Sequence, residues 1–215
     1  MPLTVLDHEI WFPPVEDATE EGLLALGGDL SVERLLLAYR SGIFPWFNED
    51  EPPLWWCPNP RCVLFPNELY VSKSMQQLLK RKEFRITINQ AFEEVVFLCG
   101  YTRKEKEGTW ITDDILDAYS QLHRLGFAVS IEAWKNNELV GGLYGVKMGN
   151  IFFGESMFSK LSNASKYAFI TYVQQLQNEG VVLIDCQVYT PHLESMGARM
   201  IEREEFLNLI KENIN

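Results

Sequence analysis

An apolar run, Val181-Val182-Leu183-Ile184, ends in Asp185-Cys186-Gln187. A strand of this kind leaves a carboxylate and a carboxamide at the edge of a sheet, where clefts tend to open. Side chains alternate along a strand, so Asp185 and Gln187 are expected on one face and Cys186 on the other. The carboxylate can accept a proton or orient a cation, and the amide can orient a group or donate to a developing oxyanion. The same pattern also suits an Asp that caps the following turn. Cys186 as a nucleophile is a weaker reading, because no base adjoins it, although His192 follows closely. A second candidate is Phe152-Phe153-Gly154-Glu155-Ser156-Met157-Phe158. Glu155 either faces solvent from an exposed sheet or meets a cation in an apolar cleft. Alternation puts Phe153, Glu155 and Met157 on one face and Phe152 and Phe158 on the other, unless Gly154 marks a bulge.

Tryptophans add a different chemistry. Trp46 sits in Gly42-Ile43-Phe44-Pro45-Trp46-Phe47 and Trp110 in Gly108-Thr109-Trp110-Ile111-Thr112. Such residues often plug a core. Two of them in loops can also sandwich a nucleobase, with stacking of about 1–3 kcal/mol per base. The formal charge of −11 argues against a nonspecific polyanion binder. Yet residues 73–85 hold Lys73, Lys80, Arg81, Lys82 and Arg85 against one acid, Glu83. Arg103, Lys104 and Lys106 form a second, weaker cluster. These runs suit either a solvated helix face or a local grip on a short piece of nucleic acid.

The composition, 47% hydrophobic and 23% charged, is that of an ordinary folded chain. No segment approaches the roughly 18 uninterrupted apolar residues of a membrane helix, and the start, MPLTVLDHEI, lacks the pattern of an export signal. The expected location is the cytoplasm. Cys57, Cys62, Cys99 and Cys186 are scattered, and His8, His123 and His192 do not complete a ligand cluster. Neither a metal nor a cofactor is expected.

The elements that must position these residues fall into two parts. The first stretch is rich in Pro, Trp and Gly and accommodates one good helix, capped by Ser31, buried through residues 32, 35, 36 and 39, and stopped by Gly42. Arg61-Cys62-Val63-Leu64-Phe65 is strand-like, and a boundary is expected there, giving domains 1–64 and 65–215. Beyond it the pattern predicts a helix over 72–82 capped by Ser72, a strand over 85–88, a helix over 89–99 capped by Asn89, and a helix over 112–126 opened by Thr112. Strands over 127–134, 138–147 and 151–158 follow, joined by Asn136-Asn137 and Gly149-Asn150 turns, so they should be antiparallel neighbours. A helix over 163–178 then leads to the apolar strand ending at Asp185. The fold class is α+β, and a meander, a helix and one more strand is the order of acetyltransferase-like folds.

Taken together, these motifs resemble the leucyl/phenylalanyl-tRNA–protein transferase family, from Phe12-Pro13-Pro14 to about Phe206. The resemblance rests on Gly27-Gly28-Asp29-Leu30, the Gly42–Phe47 segment, Trp55-Trp56-Cys57-Pro58-Asn59-Pro60-Arg61, the Gly108–Thr112 segment, Leu139-Val140-Gly141-Gly142-Leu143-Tyr144-Gly145-Val146, Phe153 to Ser159, and Asp185-Cys186-Gln187 with His192-Leu193 and Gly197-Ala198. It implies a small N-terminal domain joined to an acetyltransferase-like (GNAT-like) domain with a mixed, mostly antiparallel sheet flanked by helices. It also implies transfer of Leu or Phe, and Met more weakly, from aminoacyl-tRNA to proteins beginning with Arg or Lys, marking them for degradation. By the same resemblance the terminal adenosine lies between Trp46 and Trp110, and the aminoacyl side chain enters a pocket of Leu143, Phe152, Met157, Phe169, Tyr172 and Ile184. Asp185, Gln187 and Glu155 match functional positions of the family. Thr190 stands where some members carry Asn, so a hydroxyl replaces an amide there.

Such a reaction is aminolysis of an ester that is already activated, so it needs neither ATP nor a metal. The attacking amine has an unperturbed pKa of about 7.7–8 and must lose a proton. Asp185 is the expected proton-handling or orienting group, acting directly or through Gln187, with Gln187 as its partner or as an oxyanion donor. Glu155 and Asp185 would supply negative charge for a cationic acceptor. The basic run from residue 73 to 85 would grip acceptor-stem phosphates. An acyl-CoA-dependent N-acetyltransferase is a rival on fold order, but residues 157–164 lack the glycine that cradles a pyrophosphate. A non-catalytic tRNA-binding module is a second rival, and it would leave the acidic residues idle.

Overall fold

The computed structural model describes residues 3–104 and 111–214. The N-terminal part is a small four-stranded sheet around one helix. Strand β1 (Thr4–Leu6) runs parallel to β2 (Leu23–Gly27), which pairs antiparallel with β4 (Leu54–Trp56), and β4 with β3 (Phe44–Pro45). Helix α1 (Val32–Arg40) lies between β2 and β3 in the chain. Ser31 caps it by accepting the Arg34 amide, and Gly42 leaves it at φ 73°. The fully buried Arg34 donates to the carbonyls of Asp7 and Glu9 at 2.8 and 3.0 Å, which ties the N-terminal segment to the helix.

The larger part is a seven-stranded sheet in the order β11-β5-β10-β9-β8-β7-β6, flanked by helices. Its strands are β5 (Arg61–Leu64), β6 (Arg85–Ile88), β7 (Ala128–Lys135), β8 (Glu138–Met148), β9 (Ile151–Ser159), β10 (Leu183–Gln187) and β11 (Arg199–Ile201). Among the described residues of this sheet, only β9 and β10 pair in parallel, because α5 (Ala164–Asn178) carries the chain back between them. The fold is therefore α+β with a mixed, mostly antiparallel sheet. The expected meander is β7-β8-β9, and Asn136 and Asn137, at φ 52° and 65°, make the first of its turns.

Helices α2 (Lys73–Lys80), α3 (Phe92–Lys104) and α4 (Asp113–Arg124) precede the meander, while α6 (Pro191–Glu194) and α7 (Arg203–Asn213) follow β10. Thr112 caps α4, whose Ile115, Ala118, Tyr119 and Leu122 are buried at helical spacing. Two expectations are corrected. The strand at 61–64 does not close the N-terminal part. It pairs with β10 and β11 in the larger sheet, since its buried apolar residues complete that core on both faces, so the sheets divide between Trp56 and Arg61. Asn89 does not cap a helix. At φ 59° it turns its side-chain oxygen to the Ser130 amide of β7, and α3 starts at Phe92 and runs on to Lys104.

The β8–β9 pairing holds the feature that matters most for the site. Tyr144 pairs with Ser156 but Gly145 pairs with Gly154, so Glu155 is the extra residue of a β-bulge. Phe153 and Phe158 pack in one core cluster, and Phe152 and Met157 in the other. The bulge thus breaks the strict alternation read from sequence. A Cβ at Gly145 would press on the Phe153 carbonyl and the Phe152 ring. Gly145→Ala is therefore expected to destabilise the protein by about 1–3 kcal/mol through overpacking, read as a lower denaturation midpoint, and to reduce activity by displacing Glu155.

Candidate active site

A hollow of about 420 Å³ opens where β3, β8, β9 and β10 meet the segment around α6. Of the expected site residues, Trp46, Leu143, Glu155, Met157, Phe169, Ile184, Asp185, Gln187 and Thr190 line it. Its apolar wall comes from Leu143, Met157, Phe169 and Ile184, three strands and a helix apart in the chain. Trp46, 45% exposed, stands at the side contributed by the small sheet. Its ring lies 5.7 Å from that of Trp56, whose indole N–H donates to the Trp46 carbonyl at 2.7 Å. Trp56 thereby fixes the exposed indole in place.

Other expectations are placed elsewhere. Phe152 and Tyr172 do not line the hollow. They pack edge-to-face at 5.2 Å in the core beside it, because Phe152 is fully buried between sheet and α5. Trp110, Lys106 and the Gly108-Thr109 pair lie outside the described residues, as do the side chains of Arg103 and Lys104. Lys73, Lys80, Arg81, Lys82 and Arg85 lie on α2, the turn after it and edge strand β6, at the surface, and none lines the hollow.

The polar edge is a linked set. Asp185 is fully buried and takes two bonds from Arg61, Nε to Oδ1 at 2.8 Å and Nη2 to Oδ2 at 2.7 Å. The guanidinium is itself buried, with the rings of Phe44 and Phe206 each 4.6 Å from it. Oδ1 of Asp185 also accepts the backbone N–H of Gln187 at 2.9 Å. Gln187 has φ 61°, a left-handed conformation unusual for its type, and the β5–β10 register shifts between Asp185 and Gln187. That turn aims the Gln187 carboxamide at Glu155, to which its Nε2 donates at 2.9 Å. Glu155 accepts further from the hydroxyls of Tyr39 (2.8 Å) and Tyr119 (3.1 Å), which lie 2.5 Å apart.

Burial pushes the Glu155 carboxyl up to about 7, against the opposing pull of the two tyrosine hydrogen bonds. The same burial, with the neighbouring Glu155 charge, raises both tyrosines well above their ordinary range. Thr190 caps α6 by accepting the Leu193 amide at 3.2 Å, and its hydroxyl stays exposed at the rim. The Cys186 thiol is raised by its contact with Cys62 and by burial, which disfavours the thiolate that a nucleophile needs.

Sequence reasoning missed Tyr39, Tyr119 and Arg61 as members of this set. Arg61 carried a signal, a cation inside an apolar strand, since such a charge demands a buried partner. The tyrosines carried only their place on the buried stripes of α1 and α4.

Residues 63–211 match the model of the leucyl/phenylalanyl-tRNA protein transferase, and residues 28–59 match that of its N-terminal domain. A protein of Flavobacterium johnsoniae named leucyl/phenylalanyl-tRNA–protein transferase is 55% identical over 207 residues, covering 96% of this chain and 98% of its own length. One of the same name from Syntrophus aciditrophicus is 54% identical over 215 residues, covering 100% of this chain and 90% of its own. Among solved structures, L-PGS from Bacillus licheniformis is similar at TM-score 0.43 and 13% identity, covering 80% of this chain and 57% of its own. A GCN5-related N-acetyltransferase-like protein from Streptococcus suis is similar at TM-score 0.40 and 10% identity, covering 75% and 60%. The chain is an enzyme, an aminoacyltransferase. It belongs to the leucyl/phenylalanyl-tRNA protein transferase family.

The buried pair makes a stability prediction. Arg61→Met strands the Asp185 carboxylate out of water and should cost about 3–5 kcal/mol. Adding Asp185→Leu removes that charge and should restore much of the stability, as denaturant titrations of the two variants will show.

Proposed function

We propose that the protein moves Leu or Phe, and Met less readily, from aminoacyl-tRNA to the α-amine of proteins that begin with Arg or Lys. The observation that carries this reading is the joining of an exposed indole, an apolar wall and a carboxylate–carboxamide edge in one hollow. Its size, about 420 Å³, falls within the range of ligand pockets, about 300–1,000 Å³. The apolar wall receives the unbranched-at-β side chain, and the terminal adenine stacks on Trp46, with Trp110 as its second face. Selection against Ile and Val comes from shape, since a methylene by itself is worth only about 1–3 kcal/mol.

Of the two acids that line the hollow, Asp185 is offset by Arg61. Its role is orientation: it holds Gln187 in the left-handed turn and does not take the proton directly. Gln187 then steers the incoming amine through its carboxamide oxygen. Glu155 supplies the negative charge that favours a cationic acceptor. The surface run Lys73, Lys80, Arg81, Lys82 and Arg85 grips acceptor-stem phosphates without reading sequence. The reaction runs in the cytoplasm, and its products enter degradation through their new apolar N-terminus. Among the described residues no helix is long and apolar enough to cross a membrane.

Two measurements test this. Leucyl-tRNA is incubated with peptides that start with Arg, Lys or Ala. Product with Arg and Lys but little with Ala is expected, whereas equal product with all three removes cation selection. Lys80→Glu combined with Arg81→Glu should weaken tRNA binding and flatten its salt dependence, the slope falling by roughly one unit for each phosphate no longer neutralised. An unchanged slope takes that segment out of the tRNA interface.

A further inference from the structure

The hydrogen bonds around Glu155 close into a ring. Its Oε1 meets the Tyr39 hydroxyl at 2.8 Å, that hydroxyl meets Tyr119 at 2.5 Å, and Tyr119 meets Oε2 at 3.1 Å. Each tyrosine brings one hydroxyl hydrogen. With Glu155 ionised, the ring therefore has one more oxygen–oxygen approach than it has hydrogens. A proton on Oε2 fills the gap: Oε2–H donates to Tyr119, Tyr119 to Tyr39, and Tyr39 to Oε1. The ring has a place prepared for a single added proton. Gln187 Nε2 bonds Oε1 from outside the ring at 2.9 Å, whereas Oε2 is met by Tyr119, so Oε2 is the oxygen with room for an incoming N–H.

We propose that Glu155 is the catalytic residue that accepts the amine's proton, with Tyr39 and Tyr119 as the positioning residues that hold the ring open for it. This rests on the transfer reaction described above. As the acceptor nitrogen forms its bond to the ester carbonyl, it gives one N–H proton to Glu155. As the ester C–O bond breaks, Glu155 returns that proton to the departing ribose oxygen. The amide and the free hydroxyl are formed, and the carboxylate ends the cycle ionised as it began.

The surroundings suit this duty. Tyr39 from α1, Tyr119 from α4, Tyr144 from β8, Asp185 from β10 and Arg61 from β5 are the titratable and charged groups packed about Glu155, and His192 of α6 lines the same hollow. Arg61 balances Asp185, which keeps the latter's charge from being felt in full at Glu155. A carboxyl near 7 is matched to an amine of about 7.7–8, which makes exchange in either direction easy.

The test is kcat against pH for leucyl transfer to an Arg-starting peptide, with KM for the charged tRNA measured alongside. In the wild type, kcat should rise with pH and level off above about 7. Glu155→Gln should lower kcat roughly 100-fold and abolish that midpoint. Tyr39→Phe and Tyr119→Phe each remove a donor from the carboxylate and should move the midpoint upward, with KM for the tRNA changed by less than about twofold. Stability gives a readout independent of turnover. A carboxyl raised from 4.5 to about 7 in the folded protein stabilises fully below 4.5, and that contribution is lost as pH rises through 7. The wild type should thus lose stability across this window, and Glu155→Gln should lose less. If Glu155→Gln fails to fold, the two Phe variants decide the matter. A wild-type profile flat through pH 7, a midpoint unmoved by both Phe variants, or a Glu155→Gln enzyme with unchanged kcat overturns the proposal. A wild type that makes no leucyl-peptide at all overturns the transfer reading itself.

Discussion

Charge kept out of water is the constraint around which the centre of this protein is built. Asp185, Glu155 and Arg61 are all buried where the two sheets meet. A lone ion there would be neutralised or would unfold the site, so each one has been given partners. Arg61 answers Asp185 with two bonds and is itself shielded by the rings of Phe44, from the small sheet, and Phe206, from the last helix. The pair therefore fastens three parts of the chain to the end of β10. Glu155 is treated differently. It receives neutral donors, from Tyr39, Tyr119 and Gln187. That is enough to hold it and too little to keep its proton affinity low.

This difference separates the two carboxylates in a way that the sequence reading, which expected Asp185 to handle or orient the proton, did not anticipate. Asp185, bound on both oxygens by a cation, is suited to fixing geometry. Glu155, desolvated and held by neutral groups, is suited to exchanging protons near neutral pH. The backbone enforces the assignment. A bulge in β9 presents Glu155, and a register shift with a left-handed Gln187 at the end of β10 brings the carboxamide across to it. Irregularities in two strands beside a hollow are thus the means by which a regular sheet is made to point two side chains at each other.

Much of the framework was legible before any coordinate. Ser31, Ser72 and Thr112 cap the helices expected of them, and the Asn136-Asn137 turn and the β7-β8-β9 meander follow from local turn chemistry and alternation. Nine residues expected at the site line one hollow, Leu143 and Ile184 among them, since the residue types that build an apolar wall and a polar edge are visible as types. The errors share a cause. Asn89 looked like a cap because its side chain suits one, but its oxygen found the Ser130 amide of a strand remote in sequence. Phe152 looked like pocket lining, yet it packs edge-to-face on Tyr172 in the core behind that wall. Arg61-Cys62-Val63-Leu64 looked like the end of one part and is a strand of the other.

Sequence by itself determined the α+β class, the succession of helices and strands, the apolar strand that ends in Asp185 and Gln187, and the presence of Glu155 in a greasy setting. These depend on propensity, periodicity and capping, which act over a few neighbouring residues. Tertiary structure alone decided that Arg61 meets Asp185, that Tyr39 and Tyr119 close on Glu155, and which carboxylate is paired with a cation. Those outcomes depend on desolvation and on meetings between residues as far apart as 124 positions, and neither quantity exists until the chain has buried them.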